Sequence, residues 1–188
     1  MADFKHPLDN IRVLDLGRHQ AGPRCAQVLA RMGAEVIKVE RLGGEETRYH
    51  GPWVRKQSSY WVQYNSGKKS LSIDLRKEEG KGILTELIKV SDVLVQNFRP
   101  GTIERLGFSY EEVKKINRRA IYCSISGFGQ VGVMRDKPSY DLLVQGESGL
   151  MDITGQSDGP PTKVGFSLAD VNGGLAAVEG ILLALFQR

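Results

Sequence analysis

Ile11-Arg12-Val13-Leu14-Asp15-Leu16, residues 26–32, and Gly33-Ala34-Glu35-Val36-Ile37-Lys38-Val39-Glu40 together decide the fold. Residues 11–16 are a short apolar run rich in strand formers. Residues 26–32 space their apolar side chains as a helix does, Gly33 ends that helix, and residues 35–40 resume as strand. This is a β-α-β unit, and a crossover helix between two strands implies that they run parallel.

Outward from this unit the pattern recurs. Residues 70–75 read as strand, 78–90 as amphipathic helix, 92–96 as strand, 110–116 as helix and 120–126 as strand. Such alternation predicts an α/β fold, a Rossmann-like open and mostly parallel sheet with helices on both faces. Two stretches interrupt it, 43–69 and 127–139, and long loops at the strand ends of such sheets tend to carry the ligand site. Residues 170–188 read as one helix whose apolar face (Leu175, Val178, Leu182, Leu185, Phe186) is still in phase at the last residue. With no Gly or Pro terminator, the domain reads as cut rather than completed.

Bulk properties narrow the class. A chain of 188 residues, 40% apolar and 26% charged, can bury one sizeable core. Residues 1–7 lack the charged start, apolar run and cleavage site of a secretion signal, so a cytoplasmic location is expected. The apolar stretch 173–186 carries Glu179 and is shorter than the ~20 residues a membrane-spanning helix needs, so a buried core helix and no membrane are expected. The net charge is +4, but basic residues alternate with acids, as in Arg76-Lys77-Glu78-Glu79. That is the pattern of a solvated face rather than a nucleic-acid surface, while the small excess suits a phosphate-bearing ligand. Cys25 and Cys123 have no metal-type spacing, and His6, His19 and His50 are scattered, so neither a disulfide framework nor a metal site is indicated.

Gly127-Phe128-Gly129-Gln130-Val131-Gly132 is a literal G-x-G-x-x-G after a predicted strand. A pyrophosphate loop must open directly into a helix, and residues 133–138, with Asp136-Lys137-Pro138, have no helical run. Glu40 ends its strand where a ribose-binding acid would sit, but the first unit has no glycine triad, and an exposed strand-end charge explains it as well. No nucleophile elbow or Walker loop occurs. Asp170 remains, directly before an apolar helix. As an N-cap it would contribute ~0.5–2 kcal/mol. The same position would lower its pKa and keep it ionised, as a nucleophile requires.

Four segments, in order, resemble the family III coenzyme A transferases, also called the CaiB/BaiF family. They are Val13-Leu14-Asp15-Leu16 with Gln20-Ala21-Gly22-Pro23; Gly33 through Glu40; Asn97-Phe98-Arg99-Pro100-Gly101 with Arg105-Leu106-Gly107; and Ser126-Gly127-Phe128-Gly129. The G-x-x-x-x-D segment ending at Asp170 matches the one that supplies that family's catalytic aspartate.

The resemblance implies an acyl-CoA:carboxylate CoA-transferase working through an aspartyl anhydride and an aspartyl-CoA thioester on Asp170, with Gln20 as the second catalytic residue. The implied coenzyme A contacts are His19, Arg41, Asn97, Phe98, Arg105 and Tyr140, with Lys68 and Lys69 as further phosphate neighbours. Coenzyme A and acyl-CoA enter as substrates, with no permanently bound cofactor. The partners are an acyl-CoA donor and a carboxylic acid acceptor, and the full-length form is an interlocked homodimer. Residues 1–188 correspond to the N-terminal part of the large domain, without the small domain and the returning segment. Two other readings stay open. One is a non-catalytic CoA-binding half or subunit. The other is an α-methylacyl-CoA racemase, against which Tyr140 stands where the racemase base histidine would be.

Overall fold

A computed structural model describes residues 6–188; residues 1–5, the start of the segment read for a secretion signal, lie outside the described residues. In chain order the elements are β1 (Arg12–Asp15), α1 (Ala21–Arg31), β2 (Glu35–Glu40), a 3-10 turn (Glu46–Tyr49), a hairpin of β3 (Trp53–Val54) and β4 (Gln57–Ser58), α2 (Ser59–Asn65), β5 (Lys69–Ser72) and α3 (Glu78–Lys89). There follow β6 (Val93–Gln96), α4 (Thr102–Arg105), α5 (Tyr110–Ile116), β7 (Ile121–Ser124), α6 (Asp141–Glu147) and α7 (Leu168–Gln187).

Five strands form one parallel sheet in the order β5-β2-β1-β6-β7. Val13 of β1 sits opposite Val36 and Val93, and Leu14 opposite Ile37 and Leu94. Alternate residues serve opposite faces, as the two-residue strand period requires. Val13, Val36, Val93 and Val95 pack under α1 and α7, with Leu29, Val178 and Ile181. Leu14, Val39 and Leu94 pack under α3, α4 and α5, with Leu84, Ile103 and Val113. Both faces are covered, which is why the central strands β1, β2 and β6 are rich in Val, Ile and Leu. Cys25 and Cys123, 98 residues apart, lie on the first of these faces as free thiols.

Several expected boundaries shift for physical reasons. The first helix begins at Ala21 rather than 26, because Pro23 falls in its first turn, where a missing N–H removes no helical bond. The third strand is Lys69–Ser72, ending before Ile73 turns into the second core. The interval 43–69 holds the 3-10 turn, the hairpin and α2. Between β7 and α6 there is no helix among the described residues, so Gly127 to Gly132 does not open one.

The helix read over 170–188 is present and starts two residues earlier, but the expectation that its apolar stretch 173–186 is a buried core helix is corrected. Nothing breaks the helix between Leu168 and residue 173, so α7 runs for 20 residues with mean hydropathy 1.5, long and apolar enough by length and composition to cross a membrane. Its Val178 and Ile181 are buried against the sheet, while Leu183 and Phe186 are 69% and 94% exposed. Gly174 lets α7 approach α1 closely, since a Cβ there would lie 2.8 Å from the Ala21 carbonyl oxygen.

Candidate active site

β1 is the central strand, with the chain proceeding to β2 and β5 on one side and returning to β6 and β7 on the other. The crevice at the carboxyl ends of strands beside such a reversal is where open α/β sheets bind ligands. Two depressions lie there, and Phe98, just after β6, borders both.

The turn from β1 to α1 forms the floor. Gly17 and Gly22 cross so closely that a Cβ on Gly22 would lie 2.9 Å from the Gly17 Cα. Beneath this turn is a buried ion cluster. Asp15 Oδ1 accepts the Gly17 N–H at 2.8 Å, and Lys68 Nζ reaches Asp15 Oδ2 at 2.7 Å, the Pro23 carbonyl at 2.8 Å and Asn65 Oδ1 at 2.9 Å. Lys38 Nζ lies 3.7 Å from Asp15 and 3.1 Å from Glu45, and donates to the Gly17 carbonyl. Burial opposes the Asp15 charge, but Lys38, Lys68 and the Gly17 amide outweigh it and hold the carboxyl below its usual range. Burial, helped by the Lys38 charge, also pushes the Lys68 ammonium below its usual range, although Asp15 and Glu45 act in the opposite direction.

Two expectations are corrected by this packing. Lys68 is sealed under the turn by partners far away in sequence and does not present itself as a phosphate neighbour; Lys69 pairs with Glu35 at the sheet edge. Glu40 is buried rather than an exposed strand-end charge, accepting from Arg48 at 2.7 and 2.6 Å, Ser70 Oγ at 2.8 Å and the Glu45 N–H at 2.9 Å.

The first depression, about 430 Å³, is lined by Arg18, Arg41, Arg76, Leu16, Phe98 and Leu106, among others. Arg18 and Arg76 are paired with Glu46 and Asp74. Arg41 is 66% exposed, with Nε on the Gly44 carbonyl and Nη2 in a long 3.9 Å contact with Glu46, which leaves most of its guanidinium to solvent. Such a basic rim over an apolar floor suits a planar, phosphate-bearing ligand. Arg105 is exposed on α4, bonded to Thr102 Oγ1 at 3.1 Å, and does not line either depression.

The second depression, about 260 Å³, brings Asn97, Phe98, Tyr140 and Asp170 together with Arg135 and Lys137. Asp170 is half-buried, and its carboxylate forms no hydrogen bond or ion pair among the described residues. It is not an N-cap: Ser167 holds that place, which puts Asp170 in the first turn, three residues on. Nor is its pKa lowered, since burial and the nearby Asp141 push it up to about 6.

Gln20 does occupy the helix-start position of α1, yet its side chain caps nothing there. It is 4% exposed, its Oε1 accepts from Tyr60 Oη at 3.4 Å, and its amide NH2 has no partner among the described residues. Tyr60 in turn feels the charge of Asp170 and, chiefly through burial, titrates above its usual range. His19 adopts a left-handed backbone, φ 57°, with its N–H on Glu45 and Nε2 2.8 Å from Glu46. Its ring stands edge-on to Tyr140, 6.3 Å between centroids. Asn97 lines the second depression while holding Arg18 from both sides, with Oδ1 on the Arg18 N–H and Nδ2 on the Arg18 carbonyl.

Of the residues singled out in the sequence, Asn97, Phe98, Tyr140 and Asp170 line the second depression and Arg41 and Phe98 the first, while His19 and Gln20 line neither and lie against Tyr140 and Tyr60. Sequence reasoning missed Tyr60, inside the interval read as loop, Arg76, in a charge run read as surface, and Lys137, in a segment read only as lacking a helical run. It also missed Asp141, whose role depends on a contact 28 residues away.

The family model described as CoA-transferase family III matches residues 8–188. The chain is 47% identical to the acetyl-CoA:oxalate CoA-transferase of Acetobacter aceti, over 98% of this chain and 48% of that protein. It is 43% identical to the succinyl-CoA:glutarate CoA-transferase of Mus musculus, over 99% and 43%. The crystal structure of a CAIB/BAIF family protein from Brucella suis superposes with a TM-score of 0.94 at 41% identity, covering 97% of this chain and 50% of that one. The chain spans about half the length of the relatives it matches.

Proposed function

Because the chain belongs to CoA-transferase family III, we propose that it carries the nucleophile of an acyl-CoA:carboxylate CoA-transferase, and that Asp170 is that nucleophile. The observation that carries the reading is the Asp170 carboxylate, half-buried, free of protein donors and open to a depression with cations on its rim. A nucleophilic carboxylate needs unengaged lone pairs and a raised affinity for an electrophile, and partial desolvation supplies the second.

In the proposed reaction an oxygen of Asp170 attacks the donor thioester carbon, the C–S bond breaks, and a mixed anhydride and a coenzyme A thiolate result. The thiolate attacks the Asp170 carbonyl carbon, the anhydride C–O bond breaks, and the donor acid leaves with Asp170 bound to coenzyme A as a thioester. The acceptor carboxylate runs these steps in reverse and departs as the new acyl-CoA, regenerating Asp170 with no net proton change. The unpartnered Gln20 amide would donate to oxygens that gain charge on the way. Arg41 and Arg76, which share the first depression with the partly buried Phe98, would take the nucleotide end; Arg135 and Lys137 would draw a short dicarboxylate acceptor, the class to which the oxalate and glutarate of the two relatives' names belong. A cytoplasmic homodimer is the proposed setting of the whole enzyme, with this chain as the opening part of its large domain.

A non-catalytic CoA-binding half is the second reading, supported by the basic first depression, whose lining does not include Asp170. Intact-mass analysis after incubation with acetyl-, succinyl- and oxalyl-CoA separates the two. A coenzyme A or acyl adduct that disappears in Asp170→Ala is expected. Binding of acyl-CoA without any adduct, even after the remaining half of a close relative is added, would overturn the nucleophile and favour the binding module.

A further inference from the structure

Ser167-Leu168-Ala169-Asp170 has the spacing of a capping box, S-x-x-D, at the start of α7. In that motif the serine takes the N–H of the third residue on, and the acid there reaches back to the serine's own N–H, so that each satisfies an orphan donor of the helix. Neither bond forms here: Ser167 makes no side-chain cap, and the Asp170 carboxylate has no partner among the described residues.

One of those two donors, the Asp170 N–H, is met from another helix, together with the N–H of Ala169. Asp141 Oδ1, at the start of α6, accepts the Ala169 N–H at 2.8 Å and the Asp170 N–H at 3.4 Å. Its other oxygen, Oδ2, is fixed by Gln145 Nε2 at 2.6 Å, one turn along α6. Gln145 is 1% exposed, and its Oε1 accepts the Val164 N–H at 2.9 Å, which ties the segment entering α7 to the same helix.

We infer that Asp141, locked in place by Gln145, is a positioning residue that caps α7 in place of Ser167, holding the Ala169 and Asp170 amides and so fixing the Asp170 main chain at the depression with its carboxylate free for substrate. The inference rests on the proposed role of Asp170, but its physical claim does not. A carboxylate engaged by its own helix amides is stabilised as the ion and becomes a poorer nucleophile. Here the amides face Asp141 instead, and Asp141 adds a like charge beside a partly desolvated group, in keeping with the upward displacement of Asp170. The other titratable and charged groups around Asp170 are Tyr60 and Tyr64 of α2, Arg24 of α1, and Arg99, Arg135 and Lys137 on the rim. The two tyrosines are neutral near pH 6, so they do not titrate through that range.

The test is the 13Cγ titration of Asp170 by NMR in the selectively labelled chain, with the Ala169 amide shift read alongside. In Asp141→Ala the two amides lose their acceptor and the like charge goes: Asp170 titrates at least roughly one pH unit lower than in the wild type, and the Ala169 amide moves. Asp141→Asn keeps an acceptor on that amide but removes the charge, so Asp170 titrates lower while the amide shift stays near its wild-type value. A titration unchanged in Asp141→Asn overturns the inference even where the alanine variant is poorly folded, as does an unchanged titration in a folded Asp141→Ala. Adduct formation is followed separately by intact mass. Lowered titration in the variants with no adduct on the wild type would defeat the nucleophile reading alone; an adduct with unmoved titrations would defeat the positioning role alone.

Discussion

Asn97, at the end of β6, holds the main chain of Arg18 with both halves of its amide: Oδ1 accepts the Arg18 N–H at 2.7 Å and Nδ2 donates to the Arg18 carbonyl at 2.9 Å. The two strand ends of the crevice are thereby stapled, and His19 and Gln20 are carried in the stapled turn. Asn97→Asp keeps one of these bonds and sets a carboxylate against the Arg18 carbonyl. The expected cost is about 1–3 kcal/mol, read by urea unfolding, together with weaker coenzyme A binding by calorimetry. Unchanged stability would mean that the turn is held by its glycine packing alone.

That packing makes its own prediction. A Cβ on Gly17 would lie 2.8 Å from Asp15 Oδ1 and 2.9 Å from both the Gly22 Cα and Pro23 Cδ, so backbone or ring atoms would have to move. Gly17→Ala should cost about 1–3 kcal/mol through overpacking. Gly82→Ala, where nothing lies within 4 Å of the added atom, should instead stabilise helix α3 by roughly 0.5–1 kcal/mol. Equal thermal shifts for the two variants would sink the argument.

The sheet was legible because strands covered on both faces are rich in Val, Ile and Leu, as in residues 11–16 and 35–40, and the crossover helices follow from their spacing. What was illegible has a common cause, namely partners distant in sequence. Lys68 reads as a surface cation until Asp15, 53 residues earlier, is seen against it. Glu40 reads as a strand-end charge until Arg48 folds back over it. Asp170 reads as a cap because caps are local, whereas the acid that caps α7 comes from α6. Tyr60 was hidden in an interval whose polar and aromatic residues carry no helical period, although α2 forms there with Ser58 as its cap.

The buried cluster under the turn predicts a large and lopsided response. Asp15→Asn leaves the ammonium groups of Lys38 and Lys68, each 1% exposed, with one buried carboxylate, Glu45, between them. Removing one partner from such a cluster typically costs about 3–5 kcal/mol. Adding Lys68→Met should recover part of that loss, because the stranded charge goes with it; failure of the double variant to regain stability would show that Lys68 is held by its other acceptors. The wild-type contribution of Asp15 has a defined acid limit. Its folded pKa lies below the ordinary value of 3.8, so the stabilisation is present above that value and is lost as pH falls beneath it.

Asp170 works in the opposite sense. Its folded pKa, about 6, stands above the ordinary 3.8, so the folded state binds the proton more tightly than the unfolded chain does. Stability associated with that proton is fully present below pH 3.8 and is lost as pH rises through about 6. Asp170→Asn should therefore unfold at higher urea than the wild type at pH 8, by about 1–2 kcal/mol after allowance for solvent screening of a half-buried group, with the advantage fading as pH falls towards 4. Adduct formation, which needs the ion, should rise through the same interval in the wild type. The carboxylate would then be most reactive where it most burdens the fold, the relation expected of a functional group held against its local preference. Equal stability of the two proteins at both pH values would remove the physical basis for assigning Asp170 a raised pKa, and with it the explanation offered for its reactivity.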